Sequence, residues 1–326
     1  MATTATFDTY KSVGIREDLI DVIYNISPTD TPFVSNVGSG SAKGVFHEWQ
    51  KDSLAPVEDN PVPEGADASP QDLEPTVRLG NYCQINDKVF VISGTDLVAD
   101  NAGRGVEMAY QEAKKGLELR KDVEYVCVGV NKARDAGTGN AGGAAAARQT
   151  ATVLSWLSTN TDFAVADGVD PTGDGTDARV DGTARNFIES RLTNVIDKIY
   201  LAGGDPDMIM CNTEQKRKIS QSFKGSADSR ESMVSDKRVI NAVDFYESDY
   251  GTLAIVPNRY MRQQDVFVLD SEMWEVSYHR PYKTTPLAKT GDNEKKQMIV
   301  EWTLTSKEEA SSGGVFDLES SDNPIP

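Results

Sequence analysis

The chain has 326 residues, 38% hydrophobic and 26% charged, enough for one large or two medium domains with cores of their own. Its 51 acids against 33 bases give a net charge of -18, the wrong sign for a stand-alone nucleic-acid binder, whose affinity rests on Lys and Arg displacing counterions from phosphate. No run approaches the ~18–20 apolar residues that span a bilayer, and Cys83, Cys127 and Cys211, odd in number and far apart, fit neither a disulfide framework nor a zinc-ligand spacing. Such thiols read as small apolar residues in a reducing cytoplasm. The opening MATTATFDTYK lacks an apolar stretch, so no secretory signal is expected.

The first predicted element is a short helix over 15–26, with Ile15, Leu19, Val22, Ile23 and Ile26 on one stripe. Pro28 and Pro32 stop it and force extended backbone before them. A helix this short is marginal in isolation, so its stripe needs a surface on this subunit or on a neighbour. Residues 45–50 and 77–93, rich in Val, Ile and aromatic side chains, predict two strands of a hairpin. Between them Pro56, Pro61, Pro63, Pro70 and Pro75 punctuate a segment with seven acids (Asp52, Glu58, Asp59, Glu64, Asp67, Asp72, Glu74) and no Lys or Arg before Val77. That composition cannot build its own core. It predicts a projecting loop, either solvated and disordered or an arm that orders on a neighbouring subunit.

A long helix follows over about 103–132. Val106, Ala109, Tyr110, Ala113 and Leu117 line one stripe, and Val123, Val126, Cys127 and Val130 continue it. Asp100 or Asn101 can cap its start, and the spacings Glu112–Lys115 and Glu118–Lys121 support its exposed face. Residues 134–186 are rich in Gly, Ala and Asp, with one apolar island, TVLSWL, at 152–157. A helix is predicted over 184–202, ended by Gly203 and Gly204, then a buried strand in DMIMC, then a short basic helix capped by Thr213. Strands are expected near 239–246, 253–256, 266–269, 274–282 and 297–304, and the segment from 311 reads mostly as loop. Strands and helices in irregular alternation argue an α+β fold.

Two stretches look like chemical motifs. Gly137, Gly139 and Gly142 spell a dinucleotide-loop spacing, but they follow a helix instead of a strand, so a flexible loop is expected. DPTGDGTDARVD at 170–181 offers Asp170, Asp174 and Gly175 at calcium-loop places, with Thr172 at the third place and Asp181 instead of Glu at the twelfth; an ordinary Asp/Gly turn is expected. His47 and His279 are the only histidines, and both read as sheet residues. No catalytic residue, metal ligand or cofactor site is assigned. The clearest charge contrast is between the acidic loop and residues 214–238, which hold seven bases against four acids. Either that basic stretch is a solvated face, or it is complementary to the loop of another subunit and sets register. The candidate contact residues are Leu19 and Ile23 in the arm, Glu58, Asp59 and Glu64 in the loop, and Lys216, Arg217 and Lys218 in the basic helix.

The segment GIREDLIDVIYNISPTDTPFVSNV (14–37) resembles the N-terminal arm of tailed-phage major capsid proteins with the Hong Kong 97-type fold. HEWQKDSL (47–54), PTVRLGNYCQI (75–85), VISGT (91–95), AGGDPDMIM (202–210), VPNRYM (256–261), KTGDNEKKQMIVEWTL (289–304) and EASSGGVFDL (309–318) follow in the order of that family. The resemblance covers nearly the whole chain. It implies an α+β capsid fold with an N-terminal arm (1–44), an extended E-loop hairpin (45–93), a spine helix and peripheral domain (94–150), an axial domain (151–262), return strands of the peripheral domain (263–310) and a C-terminal tail (311–326). It further implies a non-enzymatic shell subunit that assembles with copies of itself in pentamers and hexamers into an icosahedral virion. A separate scaffolding protein and a portal are expected as partners, around double-stranded DNA enclosed without sequence-specific binding. No membrane partner is expected, and assembly would take place in the host cytoplasm. Two alternatives stay open on sequence: an encapsulin-like nanocompartment shell, and a calcium-dependent acidic hydrolase using 170–181.

Overall fold

In the sequence SPTDTPF the second proline can only begin a helix, because its missing N–H falls where none is needed. The computed structural model, which describes residues 30–67, 73, 75–99, 106–139, 145–225 and 244–320, places Pro32 at the start of α1 (Pro32–Asn36). Directly after it, β1 (Gly38–Ser41) extends along the edge of a sheet. β2 (Phe46–Lys51) and β3 (Val77–Tyr82) pair antiparallel from Phe46 opposite Tyr82 to Lys51 opposite Val77. This is the predicted hairpin only as far as Tyr82, with the described tip residues 52–67 exposed; the rest of the predicted strand pairs in another sheet. β4 (Gln84–Ser93) continues from β3, and a one-turn helix, α2 (Gly94–Val98), closes this part of the chain.

The long helix α3 runs over Glu107–Val128, 22 residues, shorter than the predicted 30. Its C-cap position requires glycine: a Cβ on Gly129 would lie 2.2 Å from the Tyr260 carbonyl oxygen. The capping candidates Asp100 and Asn101 lie outside the described residues. On its face Lys115 pairs with Glu118 at 2.7 Å, whereas Glu112 reaches across to Lys296 at 3.0 Å instead of pairing along the helix. The TVLSWL island forms a short helix, α4 (Val153–Trp156), whose four residues are all buried. It is followed by β5 (Asn160–Asp162), and α5 (Glu189–Leu201) comes after a long loop. Residues 184–188, predicted helical, are extended. Backbone bonds from Arg185 N–H to the Asp317 carbonyl and from Glu319 N–H to the Arg185 carbonyl hold them.

β6 (Met208–Cys211) is buried on both faces, as its unbroken apolar run predicts. α6 (Thr213–Gly225) begins at Thr213 itself, so the preceding residue acts as the cap: the Asn212 carboxamide oxygen accepts from Glu214 N–H at 3.4 Å. The remaining strands are β7 (Phe245–Ser248), β8 (Gly251–Pro257), β9 (Val266–Leu269), β10 (Trp274–Pro286) and β11 (Asn293–Ser306). The strand predicted near 239–246 is described only from its end; 241–243 and the residues before it back to 226 lie outside the described part. The stretch from 311, predicted as loop, is a correction: Gly313–Val315 form β12, and 311–318 are buried. Glycine permits this, because a Cβ on Gly313 would sit 2.2 Å from the Asn160 carbonyl oxygen of the neighbouring strand.

Two larger sheets result. One has the order β1-β10-β11-β4, with α3 packed across β4 and β11. The other has the order β5-β12-β9-β6-β8-β7. One face of this second sheet carries Ile209, Cys211, Leu253, Ile255, Val266, Val268 and Val315 against Leu192, Val195, Ile196 and Ile199 of α5 and Ile219 of α6. The other face carries Met208, Met210, Phe267 and Leu269 into a second core. That core is shared with Phe33, the inner face of α3, the α4 turn and the buried ends of β10 and β11. Trp156, Trp274 and Trp302 fill it, fully buried. A single polar side chain knits its edge: Asn81 donates to Thr150 Oγ1 (2.9 Å) and the Leu304 carbonyl (2.8 Å) and accepts from Ala151 N–H (2.9 Å). The three cysteines are buried thiols, and burial pushes Cys83 up to about 11 and Cys211 up to about 12, so they are unreactive near neutrality.

Candidate functional site

The features that stand out are projections and anchors. The helix predicted with Leu19 and Ile23 lies outside the described residues, which begin at Asp30 just before α1. α1 has no side-chain cap of its own at Thr31. Its first N–H groups are satisfied from 90 residues away: Glu124 of α3, fully buried, accepts from Phe33 N–H at 2.8 Å and Val34 N–H at 2.9 Å. The same carboxylate accepts from the Asn258 amide at 2.6 Å. Burial raises the carboxyl above its ordinary range, and the three donors oppose that shift. Glu124 therefore ties three segments together: the base of the arm, the long helix, and the loop after β8.

The loop at 52–67 is exposed throughout and has no regular structure. Glu58, Asp59 and Glu64 all point into solvent, and with them stand Leu54, Val57, Val62 and Leu73, each at least 69% exposed. Apolar side chains held out on a Pro-rich stem lower no free energy within one subunit. No described residue of the same subunit buries them. The loop's acids are conspicuous in the sequence; its apolar residues, interleaved with them, are equally legible there.

The basic helix is less available than its sequence suggests. Lys216 donates to the Ile255 carbonyl at 3.1 Å and pairs with Asp244 at 3.3 Å. Lys218 donates to the Glu319 carbonyl and pairs with Glu214 at 3.6 Å. Both are thus bound to their own subunit, while Arg217 between them is exposed. Lys224 has no described side chain, and Arg230, Lys237 and Arg238 lie outside the described residues.

The calcium-like segment spends its oxygens on protein partners. Asp170 forms an ion pair with Arg179, Asp174 accepts from Thr172 Oγ1 at 2.9 Å and Thr176 N–H at 2.8 Å, and Asp181 binds Arg262 at 2.5 Å. Among the described residues no three His, Cys, Asp or Glu side chains converge as a metal centre requires. His47 packs beside Trp49, and burial lowers its pKa; His279 Nδ1 lies 3.0 Å from the Ala42 carbonyl. Gly137 and Gly139 adopt positive φ, +66° and +58°, in a loop, while Gly142 lies outside the described residues. No described helix is long and apolar enough to cross a membrane.

Residues 2–319 match the model of the SU10 major capsid protein family. The chain is 29% identical over 345 residues to the major capsid protein of Escherichia phage Phieco32, covering 97% of this chain and 98% of that one. Among solved structures it resembles the capsid of a native GTA particle (TM-score 0.65, 10% identity, 95% of this chain and 98% of that one). It also resembles the capsid of cyanophage A-1(L) (TM-score 0.62, 12% identity, 95% and 98%) and a chain of Gordonia phage Cozz (TM-score 0.60, 9% identity, 98% and 97%). At these identities the structural likeness is one of fold.

Proposed function

The chain belongs to the SU10 major capsid protein family and has an α+β fold of the Hong Kong 97 type, and from that premise we propose that its 52–76 loop, its arm and its basic helix are the contacts through which copies join into pentamers and hexamers of an icosahedral head. It is a phage major capsid protein and a component of the virion. The comparisons give the nanocompartment and calcium-hydrolase readings no support. The observation that carries the proposal is the loop: acids and exposed apolar residues presented together on a stem, with no described part of their own subunit covering them. A ring of identical chains supplies that surface once per copy, because head-to-tail contacts close when the rotation closes.

Within the subunit, we assign the E-loop to the β2–β3 hairpin, the spine to α3, the peripheral domain to α3 with the four-stranded sheet, and the axial domain to the six-stranded sheet with α5 and α6. On that assignment β9 and β12 belong to the axial domain, so its boundaries extend beyond 151–262 to take in 266–269 and 313–315. The role is structural, with no catalytic step. A scaffolding protein and a portal would guide closure in the host cytoplasm. The net charge of -18 suits a wall around double-stranded DNA that must not adhere to it. Sedimentation and negative-stain microscopy of the full chain, alone and with its neighbouring phage genes, should give shells, tubes, pentamers or hexamers. A monomer under every condition would overturn the reading.

Of the three basic residues, Arg217 is the one whose charge is presented outward. Arg217→Glu should leave the melting temperature of the subunit nearly unchanged, since exposed substitutions cost within ~0.5 kcal/mol, but it should reduce particle yield. Lys216→Glu should instead weaken the subunit itself through its lost bond to the Ile255 carbonyl. Normal particle yield from Arg217→Glu would remove α6 from the contact surface.

A further inference from the structure

Where the 163–185 loop meets the base of the six-stranded sheet, six charged side chains are packed together. Asp265, just before β9, is fully buried, and Arg179 is only 3% exposed. Arg262 Nε stands 3.3 Å from Asp265 Oδ2, and Arg262 also binds Asp181 at 2.5 Å. The Arg179 guanidinium lies 3.6 Å over the Phe316 ring, donates to the Leu157 carbonyl at 2.8 Å and pairs with Asp170. Asp317 takes φ = +56°, a left-handed conformation that is uncommon outside glycine. It is held there by bonds to its carboxylate from Ala164 N–H and Gly182 N–H, both 2.9 Å. The loop is thus fastened at Ala164, Arg179, Asp181 and Gly182 to Arg262, Phe316 and Asp317, while Arg179 also ties it back to Leu157 and, within the loop, to Asp170.

The charges do not balance. Asp170, Asp181, Asp265 and Asp317 against Arg179 and Arg262 leave two negative charges if every group is ionised. Arg185, the nearest further cation on the loop, is engaged by Asp162 at 2.6 Å. Moreover, neither carboxylate oxygen of Asp265 receives a hydrogen bond from a described residue. An ionised carboxylate buried without protein donors is costly, and protonation removes that cost.

We infer that Asp265 is a proton-dependent latch: taking up one proton at its buried carboxyl tightens the hold of the sheet on the 163–185 loop, and losing that proton loosens it. The groups that face Asp265 are Arg262 and Arg179, which favour its charged form, and Asp181 and Asp317, which oppose it. Burial is the largest influence and pushes its carboxyl up to about 7 from an ordinary 3.8. The proton is therefore held more tightly with the loop closed than open. The latch is fully set below about pH 4, weakens as pH rises, and is released above about pH 7.

Amide hydrogen exchange of the unassembled full-length subunit tests this, with rates corrected for the intrinsic dependence on pH. The amides of Ala164, Val169, Val180 and Gly182 should open about tenfold more per pH unit between pH 5 and 7 and level off above that. In Asp265→Asn, which mimics the protonated acid in shape and charge, the same amides should lose that slope and stay protected at pH 7–8. A wild-type profile without the slope, or the same slope in Asp265→Asn, would overturn the latch. If the variant does not fold, the wild-type profile decides alone. Particle formation, followed separately by sedimentation, reports on the capsid role and is independent of this outcome.

Discussion

Glu124→Ala should destabilise the subunit by about 3–5 kcal/mol, the usual cost of stripping buried charged hydrogen bonds from their partners. Three donors, Phe33 N–H, Val34 N–H and the Asn258 amide, would be left facing a cavity in a fully buried place. The variant Glu124→Gln separates charge from shape. Its amide oxygen can still accept from two donors, but its NH2 group would meet Val34 N–H, donor against donor. An intermediate loss of about 1–3 kcal/mol is expected. Urea unfolding of the unassembled chain measures both. A loss under 1 kcal/mol for Glu124→Ala would mean that water replaces the carboxylate and that the arm is anchored elsewhere. Because the anchored turn is the base of the arm, partial loss should also let α1 detach from α3 before the rest of the subunit unfolds.

The second large effect separates folding from assembly. Replacing residues 52–76 by Asn-Gly would join Lys51 to Val77, which are already directly opposite in the hairpin; a two-residue turn of that sequence fits the twist of such a pair. The subunit should fold with stability unchanged or raised by up to ~2 kcal/mol, because closing a 25-residue loop costs more chain entropy than closing a two-residue one. Particle formation should fall below detection. Melting temperature and sedimentation of the same preparation give both readouts. Normal shells from this variant would show that the exposed Leu54, Val57, Val62 and Leu73 are dispensable, and the proposed contact would be withdrawn.

These two sites were not equally legible in the sequence. The loop was: its prolines and acids exclude a core locally, whatever the rest of the chain does. The strands of DMIMC and 266–269 were also legible, since unbroken apolar runs have few ways to be buried; the α3 stripe held only in its second half, at Val123 and Cys127, because Val106, Ala109, Ala113 and Leu117 are exposed and the first half turns Met108 and Leu119 inward instead. Glu124 was not legible. A single acid on the inner side of a helix becomes a cap for another helix only once tertiary packing brings residue 33 to it. Asn81 was hidden for the same reason, its partners being 69 to 223 positions away. The basic helix was read correctly as a helix, yet its lysines looked more available than they are. The segment that binds Lys218 returns from Glu319, and no local pattern announces that return.

The placement of β12 also governs how the protein can be made. This strand lies between β5 and β9, parallel to the first and antiparallel to the second, and Leu318 bridges back to Arg185. Until residue 315 has been translated and has left the ribosome, β5 and β9 both present unpaired edges, and the inner face of α5 lacks Val315 and Leu318. Nascent chains are thus held in an unfinished state through most of their synthesis, when open strand edges invite mispairing with other chains. The same arrangement acts as a completeness check. A chain truncated before this strand leaves β5 and β9 without their shared partner, so prematurely terminated products should be marked by an open sheet.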